Sequence, residues 1–179
     1  HLEILKKFGA VVTEMPDGLH LTAPNGLKGI HHTLSYPSVG ATEQLLLTAV
    51  LAEGITRLEN AAVEPEIKDL IDTLQKMGAI ISVDTDRSVT IEGVARMHGY
   101  DHTALADRIE VGSWASAALA TGGDIMVLGA QQRHMGTFLN VFRKVGGEFD
   151  VVPQGIRFYH PGGELRPIAL QTDVHPGFM

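Results

Sequence analysis

The sequence predicts an α/β protein built from a repeated βαβαββ unit, and three observations carry that prediction. A helix closed by glycine and followed by two short strands occurs three times, with the closing glycines at Gly9, Gly78 and Gly146, an almost constant step. A second phrase keeps the same step: Leu51-Ala52-Glu53-Gly54 before a strand at Ile55 to Asn60 returns one period later as Ala120-Thr121-Gly122-Gly123 before Asp124 to Gly129. Strands alternating with helices at a fixed period mark stacked supersecondary units, and agreement of several elements on one spacing is far harder to reach by chance than any single motif.

In order, Leu2 to Ala10 reads as the last turns of a helix, apolar at positions 2, 4, 5 and 8 and stopped by Gly9. Strands Val11 to Glu14 and Leu19 to Thr22 flank the turn Met15-Pro16-Asp17-Gly18. A strand at about Gly29 to Ser35 leads through Tyr36-Pro37-Ser38-Val39-Gly40-Ala41-Thr42-Glu43 into an apolar helix expected over Gln44 to Ala52. After the strand at Ile55, Leu70 to Ala79 is helical, and strands Ile80 to Val83 and Ser88 to Glu92 enclose the turn Asp84-Thr85-Asp86-Arg87. The period then calls for a strand at Tyr100 to Ala104, a helix from Asp107, a helix at Phe138 to Gly147, strands at Glu148 to Val152 and Ile156 to Tyr159, and a further strand at Leu165 to Thr172. It begins near the end of one unit's second helix and stops at Pro176-Gly177-Phe178-Met179, where the next unit's first helix is due. The expected fold is therefore incomplete at both ends.

Composition narrows the function. Apolar residues are 44% and charged residues 20%, which is globular, and no apolar run reaches the roughly 18 residues a membrane span needs. With 14 Lys and Arg against 21 Asp and Glu, a net charge of −7 argues against a nucleic-acid surface, so an anionic ligand has to be held by local groups. The absence of cysteine excludes disulfides, thiolate metal sites and a thiol nucleophile, and it fits a cytoplasmic protein. The nine histidines supply no ligand set: Gly99 interrupts the His98 to His102 spacing, and His31 and His32 face opposite sides of a strand, so neither a metal nor a cofactor is expected. There is no P-loop, Gly-rich dinucleotide fingerprint or G-x-S-x-G elbow.

Three stretches carry candidate site residues. The Pro37-Ser38-x-Gly40 turn sits at a helix start, where backbone N–H groups lack intrahelical partners and the dipole is positive, so it is a seat for an anion. Ser38 also reads as an ordinary N-cap, which needs no ligand. Glu64-Pro65-Glu66-Ile67 opens the next helix, with Pro65 suited to the first turn and both carboxylates favoured by the dipole; the acids suit capping, and equally orienting a lysine or arginine beside a cleft. Asp107 and Glu110 form a capping-box-like pair, whereas Arg108 in the first turn opposes the dipole and suits a carboxylate or phosphate partner.

Together with Leu51-Ala52-Glu53-Gly54, Glu59-Asn60-Ala61-Ala62, Met77-Gly78-Ala79 and Ile91-Glu92-Gly93-Val94, these stretches make the chain resemble, over essentially its whole length, the UDP-N-acetylglucosamine 1-carboxyvinyltransferase family of enolpyruvyl transferases. It departs from the family at Tyr36, where a lysine is common. The resemblance implies six βαβαββ units in two inverse α/β barrels with the active site in the cleft between them. Residues 1–105 are then the end of the first domain and 106–179 the start of the second, with the hinge near residues 104–107. It implies transfer of the enolpyruvyl group of phosphoenolpyruvate to the 3′-hydroxyl of UDP-N-acetylglucosamine with release of phosphate, in the cytoplasm, committing material to peptidoglycan synthesis. Such an addition and elimination requires an acid, a base and cations for phosphate and carboxylate. The family's acid, base and most of its cations have no counterpart in this chain, so residues 1–179 alone are expected to be inactive. What carries over is the nucleotide-contacting stretch Tyr36, Pro37, Ser38 and Val39, extended by Gly40. His1 is expected to border it, and Glu64, Glu66 and Arg108 resemble cleft residues. The rival readings are enolpyruvylshikimate-phosphate synthase, which shares the fold but takes a sugar-like phosphate, and a non-catalytic binding module made of the same repeats.

Overall fold

The computed structural model describes residues 1–178, and the chain divides into the units His1–Thr103 and Ala104–Met179. In the first unit, α1 (Leu2–Lys7) stops as expected: Gly9 adopts φ +103°, a left-handed conformation that glycine enters without a Cβ penalty. Hairpin β1 (Val11–Met15) and β2 (Gly18–Thr22) follows, in register from Val11 opposite Thr22 to Met15 opposite Gly18. Next come β3 (His31–Thr33), α2 (Val39–Ala49), β4 (Ile55–Glu59), α3 (Pro65–Lys76), β5 (Ile80–Val83) and β6 (Val89–Glu92), a complete βαβαββ unit. Its sheet has the order β3-β4-β6-β5, with β3 parallel to β4 and the other pairs antiparallel.

The second unit holds α4 (Arg108–Ala120), β7 (Asp124–Leu128), a 3-10 turn (Gln132–His134), α5 (Gly136–Val145), β8 (Glu148–Val152) and β9 (Gly155–Tyr159). Its sheet order β7-β9-β8 repeats β4-β6-β5, and Gly78 and Gly146 close α3 and α5 at φ +99° and +119° just as Gly9 closes α1. The period in the sequence is therefore a period in strand pairing.

Two expected strands do not form. Tyr100 to Ala104 is tied to α3 instead: Lys76 Nζ donates to the Asp101 carbonyl at 3.4 Å and lies 3.1 Å from His102 Nδ1, and His102 Nε2 stands 3.1 Å from Asp69 Oδ1. Leu165 to Thr172 has no ladder partner among the described residues, Pro167 lacks a donor for one, and Leu165, Ile168 and Leu170 stay exposed. Helix α2 also begins earlier than the expected Gln44, immediately after its cap Ser38, and ends at Ala49.

Each unit has its own core. Helix α2 contributes Leu45 and Leu46 and α3 contributes Ile67, Ile71 and Leu74, packed on Leu58 and Ile91 of the sheet. In the second unit Val111, Ala115 and Leu119 of α4 meet Leu139 and Phe142 of α5 over Phe149, Ile156 and Phe158. On the outer face of β3-β4, Thr33 Oγ1 donates to Glu59 at 2.7 Å and His31 Nε2 lies 3.1 Å from it; these bonds, that from Thr33 foremost, hold the carboxyl below its usual range.

His32 gives the first unit a pH dependence. Its Nδ1 lies 3.0 Å from Lys7 Nζ, and desolvation, then the Lys7 charge, lowers its pKa below the ordinary 6.5. The folded ring resists protonation more than the unfolded one, so its contribution is intact above the ordinary pKa and is lost as pH falls below it toward the depressed value. The melting temperature followed from about pH 8 to about pH 5 should fall, and His32→Gln should reduce that fall; an unchanged profile in the variant would contradict the assignment.

Candidate functional site

The turn at residues 36–40 is built by contacts far apart in sequence. Leu34 N–H extends the β3 ladder by donating to the Glu59 carbonyl at 3.1 Å, and Asn60, held at φ +56°, donates its side-chain amide to the Leu34 carbonyl at 2.8 Å. Ser38 N–H then turns back to the Tyr36 carbonyl at 2.7 Å, which tightens the turn ahead of α2. Ser38 Oγ accepts from Ala41 N–H at 3.3 Å as the helix cap, and the Ser38 carbonyl accepts from Thr42 N–H and Thr42 Oγ1. Thr42 is fully buried, and its hydroxyl oxygen also accepts from Ala62 N–H at 3.0 Å. One threonine thus pins the start of α2 to the loop leading into α3.

This cap uses the N–H of Ala41 and leaves those of Val39 and Gly40 without an acceptor among the described residues. Two such amides at the positive end of a helix are chemically suited to an anion. His1 lies beside them: a Cβ added to Gly40 would sit 3.2 Å from His1 Nε2 and 3.3 Å from Cε1, so the absent side chain lets the imidazole pack on the helix start. Tyr36 is exposed, while Pro37, Ser38, Val39 and Gly40 are half-buried. The structure therefore brings His1 to the turn at residues 36–40.

Glu64 precedes α3 as its cap residue, but only its backbone acts so, the carbonyl accepting from Ile67 and Lys68 N–H. Its side chain makes no cap bond and is 4% exposed, with Oε2 lacking a partner among the described residues. Burial of an acid at this position has no sequence signal; Pro65 at the first helical position and Glu66 in the first turn do. Asp107 caps α4, Oδ1 accepting from Ile109 N–H at 2.8 Å and Glu110 N–H at 3.2 Å, but the expected reciprocal box is not made. Glu110 Oε1 instead accepts from Trp114 Nε1 at 3.2 Å, one turn along.

Arg108 belongs to the second unit, where it lines a cavity of about 470 Å³ between the first turns of α4, the 3-10 turn before α5 and residues 175–178. Arg133, His134 and His175 line it too, and none of these three was expected from the sequence as a site residue. The repeat was the available signal, because Arg133 occupies in the second unit the place that Glu64 holds in the first.

Comparison with known proteins places this architecture. The profile of the family described as EPSP synthase (3-phosphoshikimate 1-carboxyvinyltransferase) matches residues 1–179. The UDP-N-acetylglucosamine 1-carboxyvinyltransferase of Protochlamydia amoebophila is 48% identical over 183 residues, covering 100% of this chain and 39% of that protein. That of Chlamydia trachomatis is 46% identical over 179 residues, covering 100% and 40%, and that of Azorhizobium caulinodans 42% identical over 178 residues, covering 99% and 42%. The chain thus spans about two-fifths of the length of the curated relatives it matches. Among solved structures, the enolpyruvyl transferase NikO from Streptomyces tendae superposes with a TM-score of 0.84 at 22% identity, over 99% of this chain and 45% of that one. An EPSP synthase from Acinetobacter baumannii superposes with a TM-score of 0.65 at 16% identity, over 93% and 40%. These superpositions establish the fold, and with a family match over every residue the chain belongs to the EPSP synthase family of enolpyruvyl (carboxyvinyl) transferases.

Proposed function

We propose that this chain takes part in the transfer of the enolpyruvyl group of phosphoenolpyruvate to the 3′-hydroxyl of UDP-N-acetylglucosamine, with release of phosphate. The names of the relatives at 40–48% identity support the reaction, and the α2 start supports the part these residues play in it. The observation that carries the reading is the pair of unpartnered N–H groups at Val39 and Gly40, beside His1 and behind the Ser38 cap. A nucleotide diphosphate laid on Tyr36 to Gly40 would meet backbone donors and a positive helix end without needing a basic surface, which suits a chain of net charge −7. Glu64, Glu66 and Arg108 are assigned to the cleft, the acids to orient a cation and Arg108 to face an anion. Neither a metal nor a cofactor enters the scheme.

In this reading residues 1–105 close the first domain and 106–179 open the second. The division of the structure between Thr103 and Ala104 supports a hinge near residues 104–107. The reaction is the first committed step of peptidoglycan synthesis, which ties the protein to cell-wall biogenesis, cell shape and division in the cytoplasm.

Adding UDP-N-acetylglucosamine to residues 1–179 should shift the amide resonances of Ser38, Val39 and Gly40, and shikimate 3-phosphate should leave them unmoved. Equal response to both, or none to the nucleotide sugar, would overturn the assignment. The same chain supplied with both substrates should release no phosphate, because acid, base and most cations are assigned to segments outside it. Sustained turnover by residues 1–179 would show that the chemistry lies within them.

A further inference from the structure

We propose that Thr42 is the positioning residue for the Val39 and Gly40 donors, aiming them through a hydrogen-bonded clamp that it completes with Asn60; this rests on the nucleotide-sugar reading of Tyr36–Gly40. A trans peptide is planar, so the carbonyl of Ser38 and the N–H of Val39 point in opposite directions on one rigid unit. Whatever fixes that carbonyl therefore aims the Val39 donor. Two donors do so, both from Thr42: its N–H at 3.0 Å and its Oγ1 at 2.8 Å. The hydroxyl is itself held, because its oxygen accepts from Ala62 N–H at 3.0 Å, and Thr42, Ala61 and Ala62 are all buried. Ahead of the turn, Asn60 donates its side-chain amide to the Leu34 carbonyl at 2.8 Å. Residues 60–62 thus grip the turn at both ends, and Ala61 N–H anchors them to the Arg87 carbonyl at 2.9 Å.

The second unit shows that the fold itself does not need this clamp. One period after Ser38, Thr42 and Asn60 stand Asp107, Val111 and Gly129. Asp107 caps α4 as Ser38 caps α2, Val111 is buried as Thr42 is, and Gly129 keeps the positive φ of Asn60, +75° against +56°. Valine shares the β-branched shape of threonine without its hydroxyl, and glycine enters the left-handed region more readily than asparagine does. The backbone is kept in both copies, and both polar side chains are absent from the second. A buried hydroxyl costs free energy unless it is bonded, so packing alone favours the valine. In the first unit the hydroxyl serves the turn, whose Val39 and Gly40 amides have no acceptor among the described residues.

UDP-N-acetylglucosamine should be titrated into residues 1–179 and into the Thr42→Val, Thr42→Ser and Ile71→Val variants, well below their melting temperatures, while the amide resonances of Ser38 to Gly40 are followed. Thr42→Val should raise the dissociation constant about tenfold, the scale of the hydrogen bonds it removes, and Thr42→Ser, which keeps the hydroxyl, should bind like the parent. Ile71→Val removes a methylene from the core of the same unit, so it should lower the melting temperature and leave the affinity unchanged. Without ligand, Thr42→Val should lower the heteronuclear NOE of the Val39 and Gly40 amides and speed the exchange of Ala62 N–H. Parent affinity in Thr42→Val overturns the proposal, as does a loss that Thr42→Ser or Ile71→Val shares in full. A parent that does not respond to the nucleotide sugar overturns the reading of the turn instead. The clamp is then decided without ligand, and NOE values at Val39 and Gly40 that Thr42→Val leaves unchanged overturn it.

Discussion

Phe158→Ala should destabilise the second unit by about 3–5 kcal/mol, the range for emptying a buried aromatic position. Phe158 lies on the central strand β9 and is 0% exposed. Its ring meets three others: Phe142 with centroids 5.4 Å apart at 78°, Phe138 at 6.4 Å and 76°, and Phe149 at 6.3 Å and 45°. The first two are edge-to-face pairs, favoured by the ring quadrupoles, so truncation loses directional contacts as well as transfer energy. Phe138 also lines the cavity of this unit, and without Phe158 it loses one of its three ring contacts, keeping those with Phe142 and Phe178. Denaturant unfolding should separate into two transitions, with that of the second unit moved to much lower denaturant. A variant within about 1 kcal/mol of the parent would mean that the aromatic cluster is not the support of this unit.

Gly93→Ala should be comparably damaging to the first unit, by about 3 kcal/mol or more, for a different reason. A Cβ there would lie 1.6 Å from the Ala52 carbonyl oxygen and 2.8 Å from its carbon, both backbone atoms that no rotamer change can move. The contact is close because the chain leaving β6 is bonded on both sides, Gly93 N–H to the Gly54 carbonyl and Val94 N–H to the Val50 carbonyl, each at 2.9 Å. Relieving the overlap means pulling that strand end off the connection between α2 and β4, and so loosening the helix that presents residues 38–40. Gly99→Ala serves as the control, because its Cβ would meet nothing within 4 Å. Melting curves that rank the two variants equally would remove the packing explanation.

The repeat, the α/β class, the helix stops and the hairpins were legible in the sequence because each rests on groups a few residues apart. Glycine enters the left-handed region at Gly9, Gly78 and Gly146 whatever packs beyond it, and the apolar periodicity around each is local. The capped start of α2 was legible for the same reason, since its serine and glycine are neighbours along the chain. Strands are different, because a strand exists only with a ladder partner. Tyr100 to Ala104 fits the period, yet Lys76, distant in sequence, holds the Asp101 carbonyl to α3 instead. Only the tertiary structure set His1 against Gly40, sank Glu64 at a helix start where acids are usually exposed, and gathered Arg108, Arg133 and His175 around one cavity. Those groupings join residues tens of positions apart, and it is the closure of the fold that makes them neighbours.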